Sequence, residues 1–167
     1  MLQIQRILVP TDFTETSDRA LDYAVELAEK VGATITVMHA YELPVYGFPD
    51  GALVATVDVA VRISQASQEA LQAAVSKRAG RGVPITSVLR DGVPWEEISS
   101  VAKEIDADLI VVGTHGRRGL RRALLGSVAE NVIRTSARPV LTIHALDEQP
   151  AEARKNGSAS HSGEVHR

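Results

Sequence analysis

The apolar run Leu109-Ile110-Val111-Val112 passes directly into Gly113-Thr114-His115-Gly116, and nine residues later Gly126-Ser127 opens a helical pattern. A strand, a glycine loop and a helix start in that order leave few folds open. Glycine lets the backbone approach a ligand closely and adopt positive φ. The free amides and dipole at a helix start favour an anion. The pattern therefore points to a phosphate-binding turn, with the phosphate expected to belong to a nucleotide.

The rest of the chain repeats the strand-then-helix pattern. Ile4 to Val9 reads as a buried strand ended by Pro10, and Thr14 or Ser17 is placed to cap the next helix. In that helix Ala20, Leu21, Ala24, Val25, Leu27, Ala28 and Val31 recur at helical spacing, and Gly32 stops it. Thr34 to Ala40 reads as a second strand and Val59 to about Ala79 as a long helix. Between them, Tyr41 to Asp58 is the longest irregular connection and is expected to form a mobile cover over the ligand. Pro84 to Leu89 is a third strand, and Pro94 suits the first position of a helix lined by Trp95, Ile98, Val101, Ala102 and Ile105. Asp108 to Val112, the helix Ser127 to Thr135 with Val128, Val132 and Ile133 inward, and the strand Pro139 to Ile143 complete the pattern.

Alternating strands and helices predict an α/β fold: one doubly wound parallel sheet of five strands in the order 3-2-1-4-5, Rossmann-like in architecture. Nearly continuous apolar strands fit a sheet covered on both faces. In such folds ligands sit beyond the carboxyl ends of the strands, where strand order reverses. Pro10-Thr11-Asp12, Ala40 and Gly113 all lie at those ends. Residues 1–146 are expected to form the nucleotide-binding domain; in residues 147–167 apolar content collapses, which reads as a disordered tail.

Composition narrows the partners. A net charge of −3 argues against nucleic acid as the main partner. There is no cysteine, hence no disulfide or thiolate chemistry. No apolar run approaches the roughly 20 residues a membrane-spanning helix needs, and the start of the chain lacks a signal-peptide layout, so the expected location is the cytoplasm. The glycine spacing matches neither a Walker A loop nor G-x-G-x-x-G.

The chain resembles the universal stress proteins of the ATP-binding type. The resemblance rests on Ile7-Leu8-Val9-Pro10-Thr11-Asp12, Val37-Met38-His39-Ala40, Gly92 with Glu96-Glu97-Ile98, and Asp106 through Gly116. It continues in Leu124-Leu125-Gly126-Ser127-Val128-Ala129-Glu130-Asn131-Val132 and Arg138-Pro139-Val140-Leu141, and so covers residues 4 to about 145. It implies an ATP site, with Mg²⁺ on the phosphates. Asp12 would lie against the adenosine, Pro10 and Thr11 would shape the wall, and the Ala40 backbone would meet the adenine edge. The amides of Gly113, His115, Gly116, Gly126, Ser127 and Val128 would surround the ribose and phosphates.

Other roles stay open for several of these residues. Asp12 also suits a turn cap, Ser127 a helix cap, and His39 a satisfied histidine at a strand end. Arg117, with Arg118, Arg121 and Arg122, reads either as a solvated basic face or as a clamp on the β- and γ-phosphates. Arg118 stands where many relatives carry a small hydroxyl residue. The function implied is a nucleotide-dependent sensor or adaptor in a stress response; the alternative is a slow ATPase or an autophosphorylating phosphotransferase. The fifth strand, with Val140, Leu141, Thr142 and Ile143, is expected at a sheet edge, where unpaired backbone groups invite a homodimer. The resemblance points to the same contact.

Overall fold

The computed structural model describes residues 3–43, 57–114 and 125–144. In chain order these residues form β1 (Arg6–Pro10), α1 (Glu15–Val31), β2 (Thr34–Tyr41), α2 (Val57–Ser76), β3 (Ile85–Asp91), α3 (Pro94–Glu104), β4 (Leu109–Gly113), α4 (Ser127–Thr135) and β5 (Val140–Ile143). The five strands make one sheet in the order β3-β2-β1-β4-β5, as expected, and every pairing is parallel. Strand order reverses between β1 and β4.

The strands read as continuous apolar runs because alternate residues serve two cores. Ile7, Val9, Ile35, Val37, Leu109 and Val111 meet Leu21, Ala24, Val25 and Ala28 of α1 and Leu71 of α2 on one face. Leu8, Met38 and Ile110 meet Ile98, Val101 and Ala102 of α3 and Val132 of α4 on the other. Burying each such Leu, Ile or Val side chain is worth about 2 kcal/mol, so the sheet centre is the stable platform for whatever lies at its rim.

Element ends differ from expectation in instructive ways. β3 runs on to Asp91 because pairing with β2 continues to Tyr41↔Asp91, and Gly92 N–H then donates to the Tyr41 carbonyl. Thr14, not Ser17, caps α1, while Gly32 ends it at φ 73°. On α4 the inward residues are Ala129 and Val132, with Val128 half-buried, whereas Ile133 is 43% exposed. Residues 128, 132 and 129 span about 100° of the helix circumference, and 133 lies about 40° beyond Ala129, at the margin of the buried face. Trp95 is half-buried against the rim of the second core. Most of the expected cover, 44–56, and the tail from 145 onward lie outside the described residues. Among the described residues no helix is long and apolar enough to cross a membrane.

Candidate functional site

The carboxyl ends of β1 and β4, the start of α1 and the start of α4 meet at the reversal of strand order. β1 hands over to a tight turn. Thr11 N–H donates to the Met38 carbonyl at 2.8 Å, which extends the β1–β2 ladder by one bond. The Thr11 side chain is buried, with its Oγ1 3.1 Å from Ser17 Oγ. Asp12 Oδ1 accepts from the Thr14 hydroxyl at 2.6 Å and from Thr14 N–H at 3.2 Å. The turn-cap role considered for Asp12 is therefore real. It occupies one carboxylate oxygen, and Oδ2 has no partner among the described residues.

Gly113 ends β4 on the same face as Leu109 and Val111, toward α1. A Cβ there would stand 3.1 Å from the main-chain carbon and oxygen of Thr16, and 3.1 Å from its Cγ2. The glycine thus fits the close packing of β4 against the first turn of α1, where a Cβ would force Thr16 to give way by a few tenths of an ångström. Beyond it, Thr114 is fully buried. Its N–H donates to the Ile143 carbonyl at 3.0 Å, and its own carbonyl accepts from Gly126 N–H. That last bond closes the loop between the two halves of the glycine motif and sets the start of α4 beside the end of β4.

Gly126, rather than Ser127, occupies the N-cap of α4, with φ −58° and ψ 146°, and no side chain caps the helix. The helix begins one residue earlier than a capping Ser127 would require, since Gly126, with its extended ψ, is the residue whose carbonyl opens the helix. The first bond of the helix runs from Glu130 N–H to the Gly126 carbonyl. The amides of Ser127, Val128 and Ala129 therefore precede it and keep the donor capacity of a helix start. Ser127 contributes its carbonyl to Asn131 Nδ2 at 2.9 Å, and Val128 packs its side chain on the second core.

The structure thus brings Pro10, Thr11, Asp12, Gly113, Gly126, Ser127 and Val128 to one end of the sheet. Ala40 reaches the same end on β2, in register with Arg90. His115, Gly116, Arg117 and the other loop arginines lie outside the described residues. Uncapped amides and a carboxylate with one oxygen to spare are the donor and acceptor types that phosphate and ribose hydroxyls need. Among the described residues no group of three or more His, Asp or Glu side chains is placed to hold a metal ion.

Two other features matter. His39 packs on Phe13, which has φ 63°; nothing in the sequence marks Phe13, because no residue type at 13 signals a left-handed turn in an aromatic. A hollow of about 310 Å³ opens at the amino ends of β2 and β3, between Gly32 and Arg81. Its arginine is spent on Glu29, at 2.7 and 3.0 Å, so it does not compete as the candidate site.

The fold and this rim define a doubly wound α/β protein with a candidate site at the switch point. Three comparisons narrow that class. A model of the universal stress protein family matches residues 3–144, and the chain belongs to that family. Universal stress protein MJ0531 of Methanocaldococcus jannaschii is 35% identical over 141 residues, covering 83% of this chain and 81% of its own. Among solved structures, a universal stress protein in complex with cAMP matches with a TM-score of 0.62 and 30% identity, covering 85% of this chain and 98% of its own. The Archaeoglobus fulgidus universal stress protein in complex with dAMP matches at 0.58 and 25%, covering 86% and 99%.

Proposed function

We propose that this chain binds ATP at the β1/β4 switch point, with Mg²⁺ carried on the phosphates, and serves as a nucleotide-dependent sensor or adaptor in a stress response. The Gly126–Thr114 bond carries the reading. It sets three helix-start amides beside the end of β4, at the same end of the sheet as the Asp12 turn, and helix starts of this kind suit phosphate. The adenine nucleotides in two solved relatives support the same ligand class. Asp12 Oδ2 would accept from the adenosine, Ala40 would meet the base through its backbone, and Ser127 and Val128 would face phosphate. Pro10, Thr11 and the loop residues His115, Gly116 and Arg117 would complete the pocket.

Affinity is expected in the micromolar range, about −8 kcal/mol, with any hydrolysis far below the typical enzyme turnover of about 10 s⁻¹. Gly126→Val is the clean test, because φ −58° and ψ 146° are open to any residue and the fold has no need of glycine for its dihedrals. Calorimetry should show ATP binding in the wild type and at least a tenfold loss in the variant, an added side chain blocking close approach. Equal affinities would refute the site.

The same reading includes a homodimer through β5. Val140, Leu141 and Ile143 turn their side chains to the protomer's own two cores, so the edge on offer is backbone. The Pro139 and Ile143 carbonyls accept from Ile110 and Thr114 of the β4 side. Odd-numbered residues therefore bond inward, and Val140 and Thr142 turn N–H and C=O outward. Sedimentation should give twice the 17.9 kDa chain mass, and Thr142→Pro, which removes one outward donor, should shift it toward monomer. A monomeric wild type would defeat the dimer.

A further inference from the structure

The turn that carries Asp12 is held by residues that the nucleotide reading leaves unused. Phe13 has φ 63°, a left-handed conformation that is a genuine outlier for a bulky aromatic. Strain of this kind persists only where the surroundings over-determine it, and here they do. Phe13 N–H donates to Thr11 Oγ1 at 3.0 Å. Its ring lies on the His39 imidazole, with centroids 4.3 Å apart and planes tilted by 43°. His39 Nδ1 stands 2.7 Å from the Thr11 carbonyl; a carbonyl only accepts, so Nδ1 carries the proton and donates.

These contacts close a ring. It runs from the Thr11 carbonyl to His39, across the stacked rings to Phe13, and back through the Phe13 amide to the Thr11 hydroxyl. The ring ties the carboxyl end of β1 to that of β2, and Asp12 is the residue it encloses. We propose that Phe13 and His39 are paired positioning residues: the stack holds a strained turn in one shape and presents the Asp12 carboxylate to the ligand in one orientation. The inference rests on the nucleotide reading. Stability alone would favour glycine at 13, which adopts this φ freely. A strained aromatic suits an arrangement fixed before the ligand arrives, which removes an ordering cost from binding.

The test is titration of full-length wild type, Phe13→Tyr, Phe13→Asn, Phe13→Gly, His39→Leu and the Phe13→Gly/His39→Leu double variant with Mg-ATP by calorimetry. Circular dichroism serves as the check on folding. Phe13→Tyr keeps the ring and should bind within about twofold of wild type. Phe13→Asn and Phe13→Gly keep the backbone shape without the ring, and with His39→Leu each should bind about tenfold more weakly, the scale of ordering one or two side chains. The double variant should be no weaker than the weaker single, because the two rings act as one unit. Wild-type affinity in folded Phe13→Asn and His39→Leu, or losses that multiply in the double variant, would overturn the pairing while leaving the nucleotide site intact. A wild type that binds no ATP would overturn the nucleotide reading and this inference with it.

Discussion

At the amino ends of β1, β4 and β5, two aspartates gather the polar groups around them; at the carboxyl ends, the polar groups of the rim keep capacity to spare. Asp108 Oδ2 accepts from Gln5 N–H and Arg6 N–H, both at 2.9 Å. Asp106 takes the Arg6 guanidinium at 2.8 Å and that of Arg138 at 2.7 Å. One buried atom escapes this pairing, Arg6 Nε. Each end also carries a left-handed residue. Asp106, at φ 51°, is a short polar side chain that tolerates the region, whereas Phe13, at φ 63°, is not. The amino end uses its special geometry to finish a network, and the carboxyl end stores it next to a candidate site. The difference teaches where stability and binding should separate under mutation.

The largest effect is expected where the two are fused. Gly113→Val drives a branched side chain into the Thr16 main chain, and overpacking of this kind costs about 3 kcal/mol. Its denaturation midpoint should fall and its ATP affinity with it. A full-stability Gly113→Val protein would mean that α1 can shift freely, and would weaken the account of a rigid rim. Asp108→Ala should come next, at about 2 kcal/mol, because it leaves two backbone donors without their acceptor. ATP affinity should be unchanged in that variant. A matching loss of affinity would break the separation between the ends.

The strand order was legible in the sequence because strands alternate with helices along the chain, and a sheet covered on both faces was legible because its strands are continuous apolar runs. Ile7, Leu8 and Val9 read as one apolar run, and the two cores explain why. At the candidate site, the glycine spacing and the strand ends mark Asp12, Gly113 and Gly126, and these residues lie at one end of the sheet. The Ser127 cap was misplaced because a serine beside a glycine looks like the better cap. The bond from Glu130 N–H to the Gly126 carbonyl shows which residue stands at the cap. The Phe13 conformation and its stack on His39 had no local signal, since they depend on two strand ends meeting across the sheet. Ile133 reads as inward from its apolar side chain, and it falls at the margin of the buried face of α4, one turn beyond Ala129.

Acid should act on the amino end. Backbone hydrogen bonds from Gln5 and then Arg6 hold the Asp108 carboxyl below the usual carboxylate range, helped by the Arg6 and Arg138 charges and opposed by burial. A depressed folded-state pKa means that the native state binds fewer protons than the unfolded chain. The stability gained is therefore full above the unfolded value of about 3.9 and is lost as pH falls through the lower folded value. Asp108→Asn cannot titrate there. Its denaturation midpoint should fall less steeply than that of wild type between about pH 5 and pH 3. Parallel curves would assign the acid response to other carboxylates.

Thr14 gives the smallest effect and the sharpest comparison, because one hydroxyl serves both stability and the site. Its Oγ1 accepts from Ser17 N–H at 3.4 Å as the N-cap of α1 and donates to Asp12 Oδ1 at 2.6 Å. The first contact is long, so Thr14→Ala should cost about 1 kcal/mol or less, at the lower end of cap removals. The second is short and charge-assisted. Its loss leaves Asp12 Oδ1 only the longer bond from Thr14 N–H, at 3.2 Å, and loosens the carboxylate, so ATP affinity should fall by a few-fold beside the small drop in stability. Thr14→Ser retains the hydroxyl and should restore both. If Thr14→Ala lowers the melting temperature while calorimetry returns the wild-type affinity, the hydroxyl belongs to the helix alone, and the orientation of Asp12 must be held by Phe13 and His39 without it.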